Sequence, residues 1–148
     1  MTTLSKNKKA FHDYEIFERY EAGIELKGTE VKSCRERNIS LVDGHAKVMA
    51  GELWLSGVHI APYKQGNIQN HDPRRERRLL MHKREIRSLE QATQAKGMTL
   101  VPLRFFLKHG RVKVELALCR GKAKGDKREK LKRKLDEKEA HDAISRHR

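Results

Sequence analysis

The stretch VPLRFFLKHGRVKVELAL, residues 101–118, decides the fold class. Apolar residues alternate with other residues on both sides of a turn: Val101, Leu103, Phe105 and Leu107 before it, and Val112, Val114, Leu116 and Leu118 after it. Alternation with a period of two is typical of a half-buried β-strand, and two such runs joined by His-Gly-Arg predict an antiparallel hairpin. Pro102 predicts an edge strand or a bulge, because proline has no N–H to donate.

Farther towards the N-terminus, the segment YEIFERYEAGIEL at residues 14–26 shows the same alternation. The apolar positions of one parity are Tyr14, Ile16, Tyr20, Ala22, Ile24 and Leu26. Gly23 would let this strand bend, as a barrel requires. Residues 45–60 predict two or three shorter strands that turn at Ala-Gly-Glu and Ser-Gly.

Helix is expected in two places. Residues 28–37, GTEVKSCRER, are a short candidate in which Thr29 can cap the first turn. Residues 72–97 predict a longer helix with a break in its second half. Its capping residues would be Asp72, Pro73 and Gly97, with a second capping box at Ser88 and Gln91. Short strands with interposed helices predict a mainly β chain: a small antiparallel barrel of the oligonucleotide-binding type, flanked by two or three helices.

The net charge of this chain indicates which class of partner it binds. Its 148 residues carry a formal net charge of +14, which favours a polyanion and above all nucleic acid. No run approaches the roughly 18 apolar residues of a membrane span, and the first residues lack the apolar stretch of a secretion signal. Cys34 and Cys119 have no metal-binding spacing. We therefore expect a cytoplasmic protein with no membrane partner and with reduced thiols.

The expected organisation has three parts. Residues 1–10 form a basic leader, residues 11–120 form the barrel domain, and residues 121–148 form a basic C-terminal tail that begins GKAKGDKREKLKRK. From residue 120 onwards the chain holds 12 Lys and Arg against 6 Asp and Glu, without an aromatic residue. Such a segment cannot bury a core, so we expect the tail to be disordered when free and helical on a partner.

The sequence offers no catalytic machinery. Gly121 and Gly125 are followed by Asp126, so the tail fails the phosphate-loop pattern. The eight histidines show no metal-ligand spacing, and Glu21 and Glu25 occupy the outward parity of a strand without a nucleophile nearby. We expect neither enzyme activity, nor a metal, nor a cofactor.

The residues support binding instead. DPRRERRLLMHKREIR, residues 72–87, concentrates arginine, and Arg74 and Arg78 would line up on one helical face able to grip phosphates. The alternative is a solvated helix with Glu76 and Glu85 as internal partners. The alternation along the strands assigns most aromatic rings to the core and leaves few for stacking on bases. The exceptions would be Phe17, Tyr63 and Phe106. This composition favours a protein that grips a folded RNA by shape and backbone.

Several stretches in order resemble the SsrA-binding protein (small protein B) family. They are NKKAFHDYEI, YEAGIELKGTEVKS, GELWLSGVHIAPY, NHDPRRERRLL, KGMTLVPLRFFLKHGRVKVELAL and finally GK with DKRE, and they cover about residues 6–130. The resemblance implies ribosome rescue by trans-translation. Such proteins bind the tRNA-like domain of transfer-messenger RNA and, with elongation factor Tu and GTP acting through that RNA, deliver it to stalled ribosomes.

The resemblance also implies where RNA binds. The tail would enter the empty decoding centre and mRNA channel of the small subunit and fold there as a helix. The residues expected at the tRNA-like domain, including the two arginines above, are Asn7, Lys8, Lys9, Glu21, Ala22, Gly23, Arg74, Arg78, Leu80 and His82. The tail residues expected on the ribosome are Gly121, Lys122, Lys124, Asp126, Lys127, Arg128, Lys132, Arg133 and Lys134. Glu21 would accept from a base amine or ribose hydroxyl, or orient a lysine.

The chain departs from the family pattern at two places. In SCRERNISLVDGHA, the departures from the usual residues are Cys34 for leucine, Arg37 for glycine, Ser40 for asparagine, and Gly44–His45 for serine–tyrosine. In the tail, Gly125 stands where the family commonly has a Tyr or His ring, and it predicts weaker helical ordering because glycine costs about 1 kcal/mol relative to alanine. The alternative function is a basic structured-RNA binder of the translation machinery without preference for transfer-messenger RNA. In either role we expect a monomer when free.

Overall fold

The computed structural model describes residues 1–65 and 70–122, which form nine strands and three helices. The strands are β1 (Thr2–Lys6), β2 (Tyr14–Ile24), β3 (Ile39–Ser40), β4 (His45–Met49), β5 (Glu52–Ser56), β6 (His59–Ile60), β7 (Arg77–Leu80), β8 (Met98–Lys108) and β9 (Arg111–Gly121). The helices are α1 (Lys8–Asp13), α2 (Gly28–Arg35) and α3 (Lys83–Ala92). None of these helices is long and apolar enough to cross a membrane.

Seven of the strands make one antiparallel sheet that closes on itself. Their order is β1-β8-β4-β5-β7-β2-β9, and β9 also pairs with β8, so six strands form a ring. β1 pairs with residues 104–107 of β8, whereas β4 pairs with β8 at Leu100. The predicted hairpin supplies the longest pairing, from Met98 opposite Arg120 to Lys108 opposite Arg111. The predicted antiparallel barrel flanked by helices is confirmed.

Two bulges change which face each long strand buries. The register of β2 shifts between Ile16 and Glu18, and that of β8 shifts between Pro102 and Arg104. The bulge expected from Pro102 is therefore present. Because one extra residue reverses the inward and outward faces of a strand, the single parity predicted for residues 101–107 divides in two.

The result is two apolar clusters rather than one. The residues that face the barrel interior are Leu100 and Phe105 of β8 and Val112, Val114, Leu116 and Leu118 of β9. Val101 and Leu103 face outwards, where α1 covers them through Ala10. The hairpin is thus buried on both faces, and Phe106, expected as a free ring, is only 2% exposed.

The long helix predicted for residues 72–97 is wrong in its first half. Residues 77–80 form β7, which lies between β5 and β2 with Leu79 in the core, and helix begins only at Lys83. Strand pairing on both sides overrides the local helical pattern. Asp72 caps a turn instead, because its Oδ1 accepts from the Arg74 N–H at 3.0 Å.

The helix predicted at residues 28–37 is confirmed as α2, with different ends. Thr29 does not cap it; the residue at the N-cap position is Lys27, whose N–H donates to Glu30 Oε1 at 2.8 Å. At the other end Arg37 adopts φ +65°, and the Arg37 and Asn38 N–H groups donate to carbonyls of the last turn. This left-handed closing residue is the position at which the family pattern has glycine, so arginine there accepts backbone strain.

The first ten residues belong to the folded body. β1 pairs with β8 from Thr2 opposite Leu107 to Lys6 opposite Arg104, and α1 follows after Asn7. A basic leader was expected here, and the structure instead shows a strand whose Leu4 is buried in the main core.

Candidate nucleic-acid interface

The arginines that open β7 are organised around one buried carboxylate. Glu30, on α2, is fully buried and accepts from two guanidinium groups. Arg77 Nε donates to Glu30 Oε2 at 2.6 Å, and Arg75 Nη2 donates to Glu30 Oε1 at 2.6 Å. The other nitrogens of Arg77 donate to the carbonyl oxygens of Val58 and Pro73 at 3.0 and 3.1 Å. These two arginines therefore hold the fold together and are committed to protein partners.

Burial alone would raise the pKa of Glu30. Hydrogen bonds from Arg75, from the Lys27 N–H and from Arg77 outweigh that effect and hold the pKa below its ordinary value. The carboxylate is therefore charged at neutral pH and joins α2 to β7.

The helical face predicted for Arg74 and Arg78 does not form, because Arg74 lies on a turn and Arg78 on β7. Arg78 makes a two-pronged ion pair with Glu25, at 3.0 Å on each prong, and a third contact with Glu52 at 3.1 Å. Arg74 is exposed. An RNA phosphate could reach Arg74 directly, whereas Arg78 would first have to leave two carboxylates.

Three further cations of the same stretch remain available on α3. Lys83, Arg84 and Arg87 are exposed, and none of them makes an ion pair with another described residue. The opposite face of this helix packs against the core through Ile86 and Leu89, which are buried. In the basic stretch, most arginines before α3 are thus in ion pairs within the protein, whereas the cations on α3 are exposed to solvent.

A groove of about 340 Å³ lies between β2, β7 and the turn that joins β8 to β9. Its lining combines apolar side chains with two cations and exposed backbone, and consists of Gly23, Ile24, Leu26, Val31, Leu80, Gly110, Arg111, Val112 and Lys113. Leu80 is 45% exposed, so this apolar side chain belongs to the surface of the groove as much as to the core. Two cations and an exposed leucine around this groove suit an unstacked base and its phosphate.

Gly23 and Leu80 are direct partners across β2 and β7. A Cβ atom at position 23 would lie 3.3 Å from the Leu80 Cβ, tighter than side chains ordinarily tolerate. Glycine therefore lets the two strands approach and shapes the groove. Ala22, predicted with it, is 1% exposed and packs in the core.

Glu21 orients two lysines beside this groove. Its Oε1 accepts from Lys108 Nζ at 3.1 Å, and its Oε2 lies 4.0 Å from Lys113 Nζ. All three side chains are partly exposed. A carboxylate does not bind phosphate, but here it holds two ammonium groups side by side, which is the lysine-orienting alternative considered for Glu21.

The N-terminal residues fall into two groups. Asn7 is 3% exposed and acts as the N-cap of α1, since its Oδ1 accepts from the Ala10 N–H at 3.1 Å. Its Nδ2 donates to the carbonyls of Leu41 and Pro102. The side chain is fully engaged inside the protein. Lys8 and Lys9 are exposed on the first turn of α1.

A second and larger cavity, of about 750 Å³, lies where the described chain ends. Lys9, Gly121 and Lys122 line it, and the Lys122 N–H donates to the Asp13 carbonyl at 2.7 Å. The described part of the chain therefore ends beside α1. The other tail residues expected on the ribosome lie outside the described residues: Lys124, Asp126, Lys127, Arg128, Lys132, Arg133 and Lys134.

His82 is exposed at the start of α3, two residues after Leu80. Its N–H faces Glu85 Oε1 at 3.4 Å, which helps to set where the helix begins. The structure thus places Gly23 and Leu80 in the groove and Glu21 beside it, with His82 two residues after Leu80. Lys8 and Lys9 lie on α1, and Lys9 also lines the larger cavity.

The described part of the chain contains neither a group of metal-binding side chains nor an exposed cysteine. Within residues 1–65 and 70–122, no three His, Cys, Asp or Glu side chains are grouped to hold a metal ion. Both cysteines are free and buried, and burial raises the pKa of Cys34 to about 12 and that of Cys119 to about 11. Neither thiol is a nucleophile at neutral pH.

Lys108, Arg111 and Lys113 are candidate site residues that sequence reasoning missed. The alternation of the hairpin already places Lys113 on its outward face, and Arg111 follows the turn. What the sequence did not show is that this turn lies against Gly23 and Leu80.

The closed antiparallel barrel with a cation-lined groove defines an RNA-binding barrel protein. Comparison with known proteins gives the family. The model of the SmpB protein family matches residues 4–146, and the chain belongs to this family.

Its relatives are similar along nearly their full lengths. The SsrA-binding protein of Lacticaseibacillus casei (strain BL23) is 55% identical over 141 residues, covering 95% of this chain and 90% of the relative. That of Carboxydothermus hydrogenoformans is 51% identical over 141 residues, covering 95% of each chain. A solved chain described as "tmRNA-SmpB: a journey to the center of the bacterial ribosome" is 50% identical, with a TM-score of 0.69 over 81% of this chain and 85% of that one.

Proposed function

We propose that this chain binds the tRNA-like domain of transfer-messenger RNA and brings it to stalled ribosomes for trans-translation. The observation that carries the proposal is the groove between Gly23 and Leu80, with Arg111 and Lys113 in its lining and the lysines oriented by Glu21 beside it. Membership of the SmpB family, whose relatives are SsrA-binding proteins, supports the identity of the RNA.

The groove suits a folded RNA better than a continuous single strand. Of the aromatic residues in the described parts of the chain, most are buried or partly buried, so a row of stacking rings is missing from the described surface. The groove can take one base while Lys108 and Lys113 contact the adjoining phosphates. Glu21 keeps both ammonium groups in place and can accept from a ribose hydroxyl.

The tail has a separate task in this proposal. We propose that residues 121–148 occupy the decoding centre and mRNA channel of the small subunit, while elongation factor Tu with GTP acts only through the RNA. No cofactor, metal or enzymatic step is part of this function. Because the work is done on the ribosome, we propose a cytoplasmic location and a monomer when free.

Binding of the full chain to the isolated tRNA-like RNA tests the proposal, with elongator tRNA as competitor over a salt series. We expect preference for the tRNA-like RNA. Exchanging both groove lysines, Lys108→Gln with Lys113→Gln, should reduce the salt slope by about 2, since each phosphate contact contributes nearly one unit.

The matched control is Lys47→Gln, which removes an exposed lysine on β4, outside the groove. Its salt slope should change by less than that of the double variant. Equal affinity for both RNAs would establish the general structured-RNA binder instead. An unchanged slope in the double variant would show that RNA does not use the groove.

A further inference from the structure

Phe17 is an exposed aromatic ring that the groove does not use. It lies at the bulge of β2, between Ile16 and Glu18, and 47% of it is exposed. Bulges commonly re-aim a side chain. Here the neighbours Ile16 and Tyr20 pack in the two apolar clusters, while Phe17 remains in solvent.

A guanidinium accompanies this ring. The Arg120 Cζ lies 5.7 Å from the centroid of Phe17, within the range of a cation–π contact. The stem of Arg120 runs over Gly97, where a Cβ atom would lie 3.6 Å from the Arg120 Cγ. Ring and guanidinium thus form a pair on the barrel surface, and about half of the ring is still open to a ligand.

The surroundings of the pair select a base rather than a phosphate. Glu15 is the cross-strand partner of Arg120, so a carboxylate neighbours the guanidinium on the sheet. This charge opposes a phosphate at this spot. An aromatic face beside a planar cation offers stacking, which any unpaired base can use.

We propose that Phe17 and Arg120 form a stacking site for one unpaired base of ribosomal RNA. The inference rests on the proposed function, which assigns the tRNA-like domain to the Gly23 end of β2. Phe17 lies six residues away along that strand, roughly 20 Å at the usual rise per residue. Arg120 immediately precedes the basic tail. The pair therefore faces the second RNA partner, at the point where the tail leaves the barrel.

Binding of the full-length protein to ribosomes without message tests this site. Phe17→Ala should weaken that binding about 5- to 100-fold, the usual loss when one stacking ring is removed. Phe17→Trp should bind within about threefold of the unchanged protein, because its ring stacks on any base. Phe17→Leu should behave like Phe17→Ala, and affinity for the isolated tRNA-like RNA should stay within about twofold in all three variants.

Met49→Ala is the matched control, because Met49 is another exposed apolar side chain, 38% exposed, on a different strand. It should bind ribosomes like the unchanged protein, and thermal unfolding checks that each variant is folded. Full binding by Phe17→Leu with loss in Phe17→Ala would indicate an apolar protein contact and overturn the proposal, as would unchanged binding in Phe17→Ala. Failure to prefer the tRNA-like RNA over elongator tRNA would appear in the binding experiment with isolated RNAs. That result would count against the proposed function alone.

Discussion

At the scale of single residues, the arginines of residues 74–78 show that identical side chains in one stretch have different tasks. Arg77 is fully buried and Arg78 is partly exposed, although they are adjacent on β7. In a strand, adjacent side chains point to opposite faces, so one meets Glu30 inside and the other meets Glu25 outside. Charge counting alone cannot separate the two.

The two glutamates give a paired prediction. Glu30→Gln should lower the free energy of unfolding by about 3–5 kcal/mol, because it leaves Arg77 buried without a counter-charge. Glu25→Gln removes an exposed partner of Arg78 and should cost at most about 1 kcal/mol. Urea unfolding of both variants measures this difference. Equal losses would mean that the buried pair is not special.

The same carboxylate predicts a pH dependence. The folded-state pKa of Glu30 is lowered, so its contribution is complete above the unfolded-state pKa and is lost as pH falls through the folded-state pKa. The stability gap between the unchanged protein and Glu30→Gln should therefore be constant from about pH 5 to 7 and shrink below about pH 4. Repeating the urea titrations across this range checks it. A gap that widens in acid would contradict the lowered pKa.

At the scale of elements, the loop before β4 and the turn after β5 fit together without spare space. Gly57 has φ +77°, and a Cβ atom there would lie 2.1 Å from the Asp43 carbonyl oxygen. Gly51 has φ +78°, yet nothing lies within 4 Å of its would-be Cβ. Comparing Gly51 with Gly57 therefore separates the free-energy cost of the left-handed backbone from the cost of steric overlap.

We expect Gly51→Ala to cost about 1–2 kcal/mol, the price of the left-handed conformation alone. Gly57→Ala should cost clearly more, because backbone must also move. Thermal unfolding of both variants is sufficient to compare them. Similar melting temperatures would show that the Asp43 loop yields at little cost.

The sequence could predict the elements whose formation depends on local residue patterns. It could not predict those that depend on pairing with distant strands. The hairpin of β8 and β9 rests on alternation and a short turn, so it was predictable. β7 was not, because RRLL has no strand signal of its own and is extended only through β5 and β2 on either side. Leu80 and Gly23 were expected at the interface from the family resemblance, whereas Arg111 and Lys113 needed the three-dimensional approach of the turn.

At the scale of the whole molecule, the positive charge is shared between body and tail. Residues 1–119 carry a net charge of +8, with 22 Lys and Arg against 14 Asp and Glu, and residues 120–148 carry +6. Part of the charge in the body is neutralised in internal ion pairs such as that of Arg77. Lys83, Arg84 and Arg87 remain open on α3, so the barrel can attract RNA without the tail.

The closure of the barrel also determines when the protein can fold. β1 pairs with β8, and most of β2 pairs with β9, so the first strand and most of the second find their neighbours only near residues 104–121. Such a high contact order predicts refolding in milliseconds to seconds. Stopped-flow fluorescence of Trp54, the only tryptophan, measures this rate, and refolding within microseconds would contradict it. During its own synthesis, the chain must therefore wait for β8, its last strand but one, before its first strand has a place.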